Sequence, residues 1–246
     1  MLKHYSNTLL ITLFFGTHAI ADHHESAQSP QLSPNESLAK AWVESSQSLE
    51  SAREMIAENM ADDGVWAAKR YVGFGFDYDT DNEEEMVVRS VRPNSPAEKV
   101  LQAGDIFVSV NGVAATQENR DRLSFRGKPG QAVKARISRA GEEMDIEVSR
   151  GVISPTYAKQ ELLKNMATAD AENWGPTEMR ISEILSSGNV VYVLNWGKDV
   201  EQDTGLEFES WAVTRFEFNE AGQVIWAGEL SEDRFVLEQL GYSISR

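Results

Sequence analysis

The sequence predicts an α+β fold with a β-rich middle and a β-rich end. Three observations predict it. Apolar residues recur at helical spacing near the front, at Leu38, Trp42, Leu49, Ile56 and Met60. In the middle, Met144, Ile146 and Val148 alternate with Glu143, Asp145 and Glu147, the period of a half-buried strand. Towards the end, four extended stretches are separated by turns that contain glycine. A hydrophobic content of 41% is enough to fill the cores such a fold needs.

Residues 1–21 stand apart from the fold. Lys3 and His4 make a short polar start, an apolar run covers 9–15, and Ala19-Ile20-Ala21 is a small-x-small cleavage pattern. Together they read as a secretory signal peptide cut near Ala21, so a periplasmic or secreted protein is expected. The apolar run is too short to span a bilayer, and no other stretch is long and apolar enough. Residues 22–35, rich in Ser, Gln, Pro and His, read as a flexible linker. If cleavage follows Ala21, Asp22-His23-His24 places a histidine third from a free amine, a square-planar nitrogen set for Cu(II) or Ni(II). The simpler reading is a polar tail. A helix pair follows over 36–60. Ala61-Asp62-Asp63-Gly64 ends it, and Val65-Trp66 begins something extended.

The middle holds a compact unit. Ser95 is an N-cap type, Pro96 suits the first helical position, Val100 and Leu101 give an apolar side, and Gly104 suits a helix end. Ile106, Val108 and Val110 then alternate as one face of a strand, closed by the turn pair Asn111-Gly112. Strands are expected over 86–91, 131–139 and 143–148, with turns at Lys128-Pro129-Gly130 and Ala140-Gly141. This unit, with Gly73-Phe74-Gly75-Phe76 upstream, resembles a PDZ domain over residues 71–152. Phe74 stands where that family usually has an aliphatic residue. The resemblance implies that the amides of Gly73, Phe74, Gly75 and Phe76 cradle the terminal carboxylate of a peptide, which adds as a strand to the neighbouring edge. It assigns a supporting basic role to Arg70, beside Lys69. A second helix, expected over 116–125, offers only Leu123 and Phe125 to a side-chain groove.

After Ser154-Pro155, an N-cap and proline pair, a helix is expected over 157–166 with Leu162 and Leu163 on its apolar side. Strands follow near 178–185, 189–196, 207–218 and 223–229. Tight turns fall at Ser187-Gly188 and Ala221-Gly222, a longer one at Asp203-Thr204-Gly205, and a last helix at 231–240. Phe216-Glu217-Phe218-Asn219-Glu220-Ala221-Gly222-Gln223-Val224-Ile225, with Leu237-Glu238-Gln239-Leu240-Gly241, resembles the nuclear transport factor 2-like superfamily. That is the cone-shaped α+β fold shared with SnoaL-like polyketide cyclases. The superfamily begins with helices and a strand, and here those precede the PDZ-like unit. The expectation is therefore an insertion: 36–70 and 153–246 form the cone, interrupted by 71–152. The competing arrangement is a helical hairpin, a PDZ unit and a small α+β domain in tandem. Four strands with one helix would leave a sheet face uncovered, which favours insertion.

Composition narrows the chemistry. A net charge of −16 makes nucleic acid and anionic lipid poor partners. With no cysteine there is no disulfide, thiol nucleophile or thiolate metal site. The four histidines are His4, His18, His23 and His24, so the folded region has none. A Ser-His-Asp triad, a His-ligated zinc and a histidine base are excluded there. Asp77, Asp79 and Asp81 begin like a calcium loop, but Asn82 replaces its glycine and Val88 its closing glutamate. Asp203-Thr204-Gly205 matches the aspartic-protease triplet without its apolar strand or a second copy, and reads as a turn. In the cone, Trp66, Asn195, Trp196, Trp211, Arg215 and Trp226 either line a ligand pocket or fill the core. Glu178, Glu183 and Glu229 are the acids to examine there.

Two functions follow. The first is an exported, non-enzymatic binding or adaptor protein whose PDZ-like unit takes a protein C-terminus or extended segment. The second is a cyclase, isomerase or dehydratase that acts on a small apolar ligand through a cone carboxylate. The second requires a cavity holding an acid with a raised pKa. A homodimer or a purely structural assembly module is a further reading. No cofactor or metal is expected.

Overall fold

The computed structural model describes residues 31–242 apart from 80, 81, 83 and 203. The expected signal peptide, Asp22-His23-His24, Asp81 and Asp203 lie outside the described residues. In chain order the elements are α1 (Pro34–Ser45), α2 (Leu49–Asn59), β1 (Met60–Ala67), β2 (Tyr71–Gly73), β3 (Phe76–Tyr78), β4 (Met86–Val91), β5 (Ile106–Val110) and β6 (Val113–Ala114). Then come β7 (Ala132–Arg139), β8 (Glu142–Ser149), β9 (Gly151–Ile153), β10 (Thr156–Ala158), α3 (Lys159–Met166), β11 (Glu178–Ser187), β12 (Val190–Val200), β13 (Glu207–Phe218), β14 (Val224–Ser231) and α4 (Asp233–Gln239). Among the described residues no helix is long and apolar enough to cross a membrane.

A capping box starts α1 two residues inside the stretch expected to be linker. Ser33 Oγ accepts from the Glu36 N–H at 3.3 Å, and the Glu36 carboxylate accepts from the Ser33 N–H at 2.7 Å. Ala39, Trp42 and Val43 of α1, Ala52 and Ile56 of α2 and Met166 of α3 are buried against Val191, Val193, Phe216, Phe218, Val224 and Ala227 of one sheet. That sheet runs β10-β1-β14-β13-β12-β11, antiparallel except for β1 with β14. Three helices thus cover one of its faces.

The topology makes the middle unit an insertion. β1 precedes it, yet pairs with β14 from the end of the chain and with β10 just after the unit. The chain leaves at Ala67 and returns at Thr156, its direct partner in the ladder. β2 and β9 continue as a short antiparallel ribbon, Tyr71 opposite Ile153. Beyond the ribbon lies a second sheet, β3-β4-β5-β7-β8, with β6 beside β5. Its core gathers Phe74, Met86, Val88, Leu101, Phe107, Val110, Val133, Ile137 and Val148.

Several local expectations need correction. The helix after Ser95 is one 3₁₀ turn, Pro96–Lys99, and Ser95 makes no side-chain cap there. On β5 the ladder shifts register between Phe107 and Ser109. Phe107 and Val110 therefore point inward, while Ile106 and Val108 are half-buried, because an extra residue breaks the alternation. The residues after Ser154-Pro155 form β10 first, since they pair with β1, and α3 begins only at Lys159.

Candidate functional site

The Gly73-Phe74-Gly75-Phe76 turn links the ribbon to β3. The Phe74 carbonyl accepts from the Ala97 N–H at 2.9 Å. The Gly75 carbonyl accepts from the Arg92 N–H at 2.9 Å and from the Ser95 hydroxyl at 3.0 Å. In a trans peptide unit the N–H points opposite to the C=O. The Gly75 and Phe76 N–H groups are thereby turned to the other side of the loop, away from 92–97. Gly75 is obligatory: its φ is +85°, and a Cβ there would lie 2.3 Å from Ser95 Cβ.

β3 is the terminal strand of its sheet. Phe76 lies opposite Val91 and Tyr78 opposite Val88. The flanking bonds run from Arg92 N–H to Gly75 O and from Asp79 N–H to Val87 O. Residues between such bonds direct their own N–H and C=O away from the partner strand. Phe76 and Tyr78 therefore offer a donor and an acceptor each to the unpaired edge, in line with the two loop amides.

The side-chain groove differs from expectation. The second helix is a 3₁₀ segment, Gln117–Arg122, and Leu123 is buried in the domain core. Phe125 packs its ring 5.6 Å from Phe74 and 5.1 Å from both Phe76 and Phe107. Phe76 and Phe107 are themselves 5.1 Å apart. Rings at these spacings are in van der Waals contact, so Phe125 closes the space beside Phe76. Asp77, the first of the three alternating aspartates, accepts from Arg92 at 2.9 Å and from Ser90 at 3.1 Å.

Arg70 is exposed and borders a cleft on the large sheet with Tyr192, Arg215 and Trp226. Beside the loop stands instead Arg126, its guanidinium 3.5 Å from the centre of the Tyr71 ring. Gly73 lies against that ring, and a Cβ there would sit 2.9 Å from it. No motif marks Arg126 in the sequence. Arg150 is almost fully buried behind the same segment, donating to the Ser124 carbonyl and, at 2.7 Å, to Gln131 Oε1.

The six residues proposed for the cone pocket divide between two faces. Trp66 and Asn195 lie on the helix-covered face, opposite Ala227 and Ala212 respectively. Trp196, Trp211, Arg215 and Trp226 lie on the other face, because successive strand residues alternate. There Trp196 and Trp211 are direct partners, with the Arg180 guanidinium 4.7 and 5.8 Å from their rings. Arg215 stacks 4.7 Å over Trp226 and pairs with Glu217 at 2.9 Å.

The helix-covered face is hollow towards α4. A cavity of about 570 Å³ has Asn195, Gly197, Ser210 and Ala212 as its floor. Glu229, Lys69 and Asp233 also line it, the last two joined at 2.6 Å. Burial, assisted by Asp233, pushes the Glu229 carboxyl above its ordinary value, although Lys69 and the Thr214 hydroxyl pull it back. Glu178 and Glu183 are exposed. Of the three acids picked from sequence, Glu229 alone is half-buried and lines this cavity.

Comparison with known proteins places the family resemblance. The PDZ domain family model matches residues 71–149. Protease Do-like 7 of Arabidopsis thaliana is 42% identical over 65 residues, which cover 26% of this chain and 6% of that protein. The "Probable CtpA-like serine protease" of Staphylococcus haemolyticus is 31% identical over 97 residues, 37% of this chain and 19% of that protein. The chain thus matches only a small part of the length of either relative. Among solved structures, IdmH from Streptomyces antibioticus aligns over 85% of this chain and 99% of its own, at 12% identity and a TM-score of 0.39.

Proposed function

Residues 71–149 are a PDZ domain, and from that premise we infer that the protein is an exported binding protein that captures the C-termini of other proteins. The captured tail adds as a strand to the free edge of β3, using the N–H and C=O groups of Phe76 and Tyr78. Its carboxylate sits on the Gly75 and Phe76 amides. Arg126 adds positive potential beside Tyr71. The observation that carries this reading is the anchoring of the Phe74 and Gly75 carbonyls by Ala97, Arg92 and Ser95. That anchoring aims the amides outward before any ligand arrives, so little ordering is left to be done on binding. Export follows from the signal-like residues 1–21. The α+β domain around the insertion, read as a nuclear transport factor 2-like cone, holds the PDZ domain on a rigid base.

The test is a library of C-terminal peptides offered to the mature chain, each also in C-terminally amidated form. Saturable binding that amidation abolishes is expected. A library without a single binder, or binders indifferent to amidation, would refute carboxylate capture. Detection of the protein in the periplasmic or culture fraction tests export separately.

A further inference from the structure

Arginines with neutral partners gather along the proposed peptide groove. Elsewhere Arg92, Arg136, Arg139, Arg215 and Arg234 each pair with a carboxylate. Around the groove, Arg120 donates to the Asn82 carbonyl at 2.6 Å, and its guanidinium lies 5.7 Å from the centre of the Tyr78 ring. Arg122 donates to Asn119 Oδ1 at 3.1 Å, and Arg126 stacks on Tyr71. The buried Arg150 hydrogen-bonds the Ser124 carbonyl and Gln131. Between 116 and 130 the bases Arg120, Arg122, Arg126 and Lys128 outnumber the acids Glu118 and Asp121, in a chain whose net charge is −16. The groove is therefore a place where an acidic protein attracts an anion.

β3 sets one of these cations against one position of a tail. A tail with its carboxylate on the Gly75 and Phe76 amides and its backbone along the β3 edge runs antiparallel to β3. Its last residue lies beside Phe76 and its third from last beside Tyr78. Directly opposed residues put their side chains on the same face. The register shift between β3 and β4 does not disturb this alternation, because the extra residue, Arg89, is on β4. Phe76 and Tyr78 both pack against the PDZ core, whereas Asp77 points to the other face and is held by Arg92. The third-from-last side chain thus comes down over Tyr78, beside the Arg120 guanidinium. The penultimate one falls on the Asp77 face.

On the basis of the tail capture inferred above, we propose that the groove selects C-termini with Asp or Glu third from the end, and that Arg120 pairs with that carboxylate. The Asn82 carbonyl occupies one guanidinium N–H and fixes the group in place, and other N–H groups remain to donate. Arg150 is too deep to touch a tail and adds positive potential through the field alone.

The experiment uses the mature full-length chain and N-terminally labelled peptides of one common body that end in Glu-Gly-Ala, Gln-Gly-Ala, Lys-Gly-Ala or Gly-Glu-Ala, read by fluorescence polarisation. Glu-Gly-Ala should bind about ten-fold tighter than Gln-Gly-Ala, the lower part of the range for a hydrogen bond to a charged group. Lys-Gly-Ala should bind weakest. Gly-Glu-Ala, with its acid on the Asp77 face, should bind no tighter than Gln-Gly-Ala. Arg120→Met should bring Glu-Gly-Ala down to the level of Gln-Gly-Ala. Arg120→Glu should favour Lys-Gly-Ala, a reversal that a merely structural Arg120 would not produce. A thermal melt checks folding, and if a variant unfolds the ranking by the unmodified chain still decides. The proposal is overturned if Gln-Gly-Ala or Gly-Glu-Ala binds as tightly as Glu-Gly-Ala, or if Arg120→Met keeps the preference. Equal binding across the panel would leave carboxylate capture standing, whereas a panel without a single binder would remove capture as well.

Discussion

If the PDZ domain captures C-terminal tails as proposed, Phe125 should set which tails it accepts. A tail whose carboxylate rests on the Gly75 and Phe76 amides must place its last side chain between Phe76 and the segment after the 3₁₀ turn. That space is taken, since Phe76, Phe107 and Phe125 are mutually 5.1 Å apart. The unmodified domain should therefore prefer tails ending in Gly, Ala or Ser. Phe125→Ala removes the ring. A fully buried Phe→Ala change costs about 3–5 kcal/mol, and Phe125 is half-buried, so a loss of about 2–3 kcal/mol is expected. A domain of typical stability, about 5–15 kcal/mol, survives it. The vacated space would bury a terminal Leu or Phe of the peptide, worth about 1.5–3 kcal/mol, or about ten- to hundred-fold in affinity. Fluorescence polarisation with peptides that differ only in the last residue measures the switch, and a thermal melt checks folding. The unmodified chain should rank Ala above Leu and Phe, and the variant should reverse that order. If the unmodified chain already binds Phe-ended tails ten-fold more tightly than Ala-ended ones, the aromatic cluster does not govern the site and the reasoning fails.

Three further perturbations probe the framework. Asp105 is fully buried and accepts from Arg139 Nε and Nη2, both at 2.7 Å, and from the Gln102 N–H at 2.9 Å. Asp105→Asn should cost about 3 kcal/mol in chemical denaturation, the range for breaking a buried pair. Burial is the largest influence on this carboxyl and pushes its pKa up, but the hydrogen bonds from Arg139 and Gln102 outweigh it and the net shift is downward. Its contribution is thus present above the ordinary Asp value and is lost as pH falls through the depressed one; a variant with an unchanged acid limb would contradict this. Glu229 has the opposite sign. With its pKa raised by burial, assisted by Asp233 and opposed by Lys69 and the Thr214 hydroxyl, the folded state keeps a proton that the unfolded chain releases. Stability should decline as pH rises from the ordinary Glu value through the raised one, and Glu229→Gln should flatten that decline; parallel melting curves against pH would exclude it. Arg92 joins β3 to the surrounding domain, donating to Asp77 at 2.9 Å and to the Tyr157 hydroxyl at 3.0 Å. Arg92→Met should speed amide exchange in β3 and β10 and lower stability by about 1.5–3 kcal/mol, whereas unchanged protection in β10 would show that Arg92 is no latch.

What the sequence reveals and what it hides divides along physical lines. Turns that demand positive φ are local, and they are legible. Asn111-Gly112 and Ala140-Gly141 both adopt it, at 49° and 79° and at 52° and 86°. The insertion is legible because helices without a sheet, and a sheet without helices, each leave an apolar face bare. Ser95 is harder to read, because the carbonyl its hydroxyl meets lies twenty residues upstream. A local rule can only place it as a helix cap. The split of the six candidate pocket residues between two faces is partly decidable from sequence: Asn195 and Trp196 are neighbours on one strand and cannot face the same way. Glu229 was not. Val224 points into the core, so strict alternation along β14 would send Trp226 and Gly228 inward and Glu229 out. The ladder skips Ile225, pairing Phe218 with Val224 but Glu217 with Trp226. That single extra residue reverses the parity, turning Ala227 and Glu229 inward and Trp226 outward. A one-residue bulge leaves no signature in a run of apolar residues, and here it decides whether an acid or a tryptophan faces the cavity.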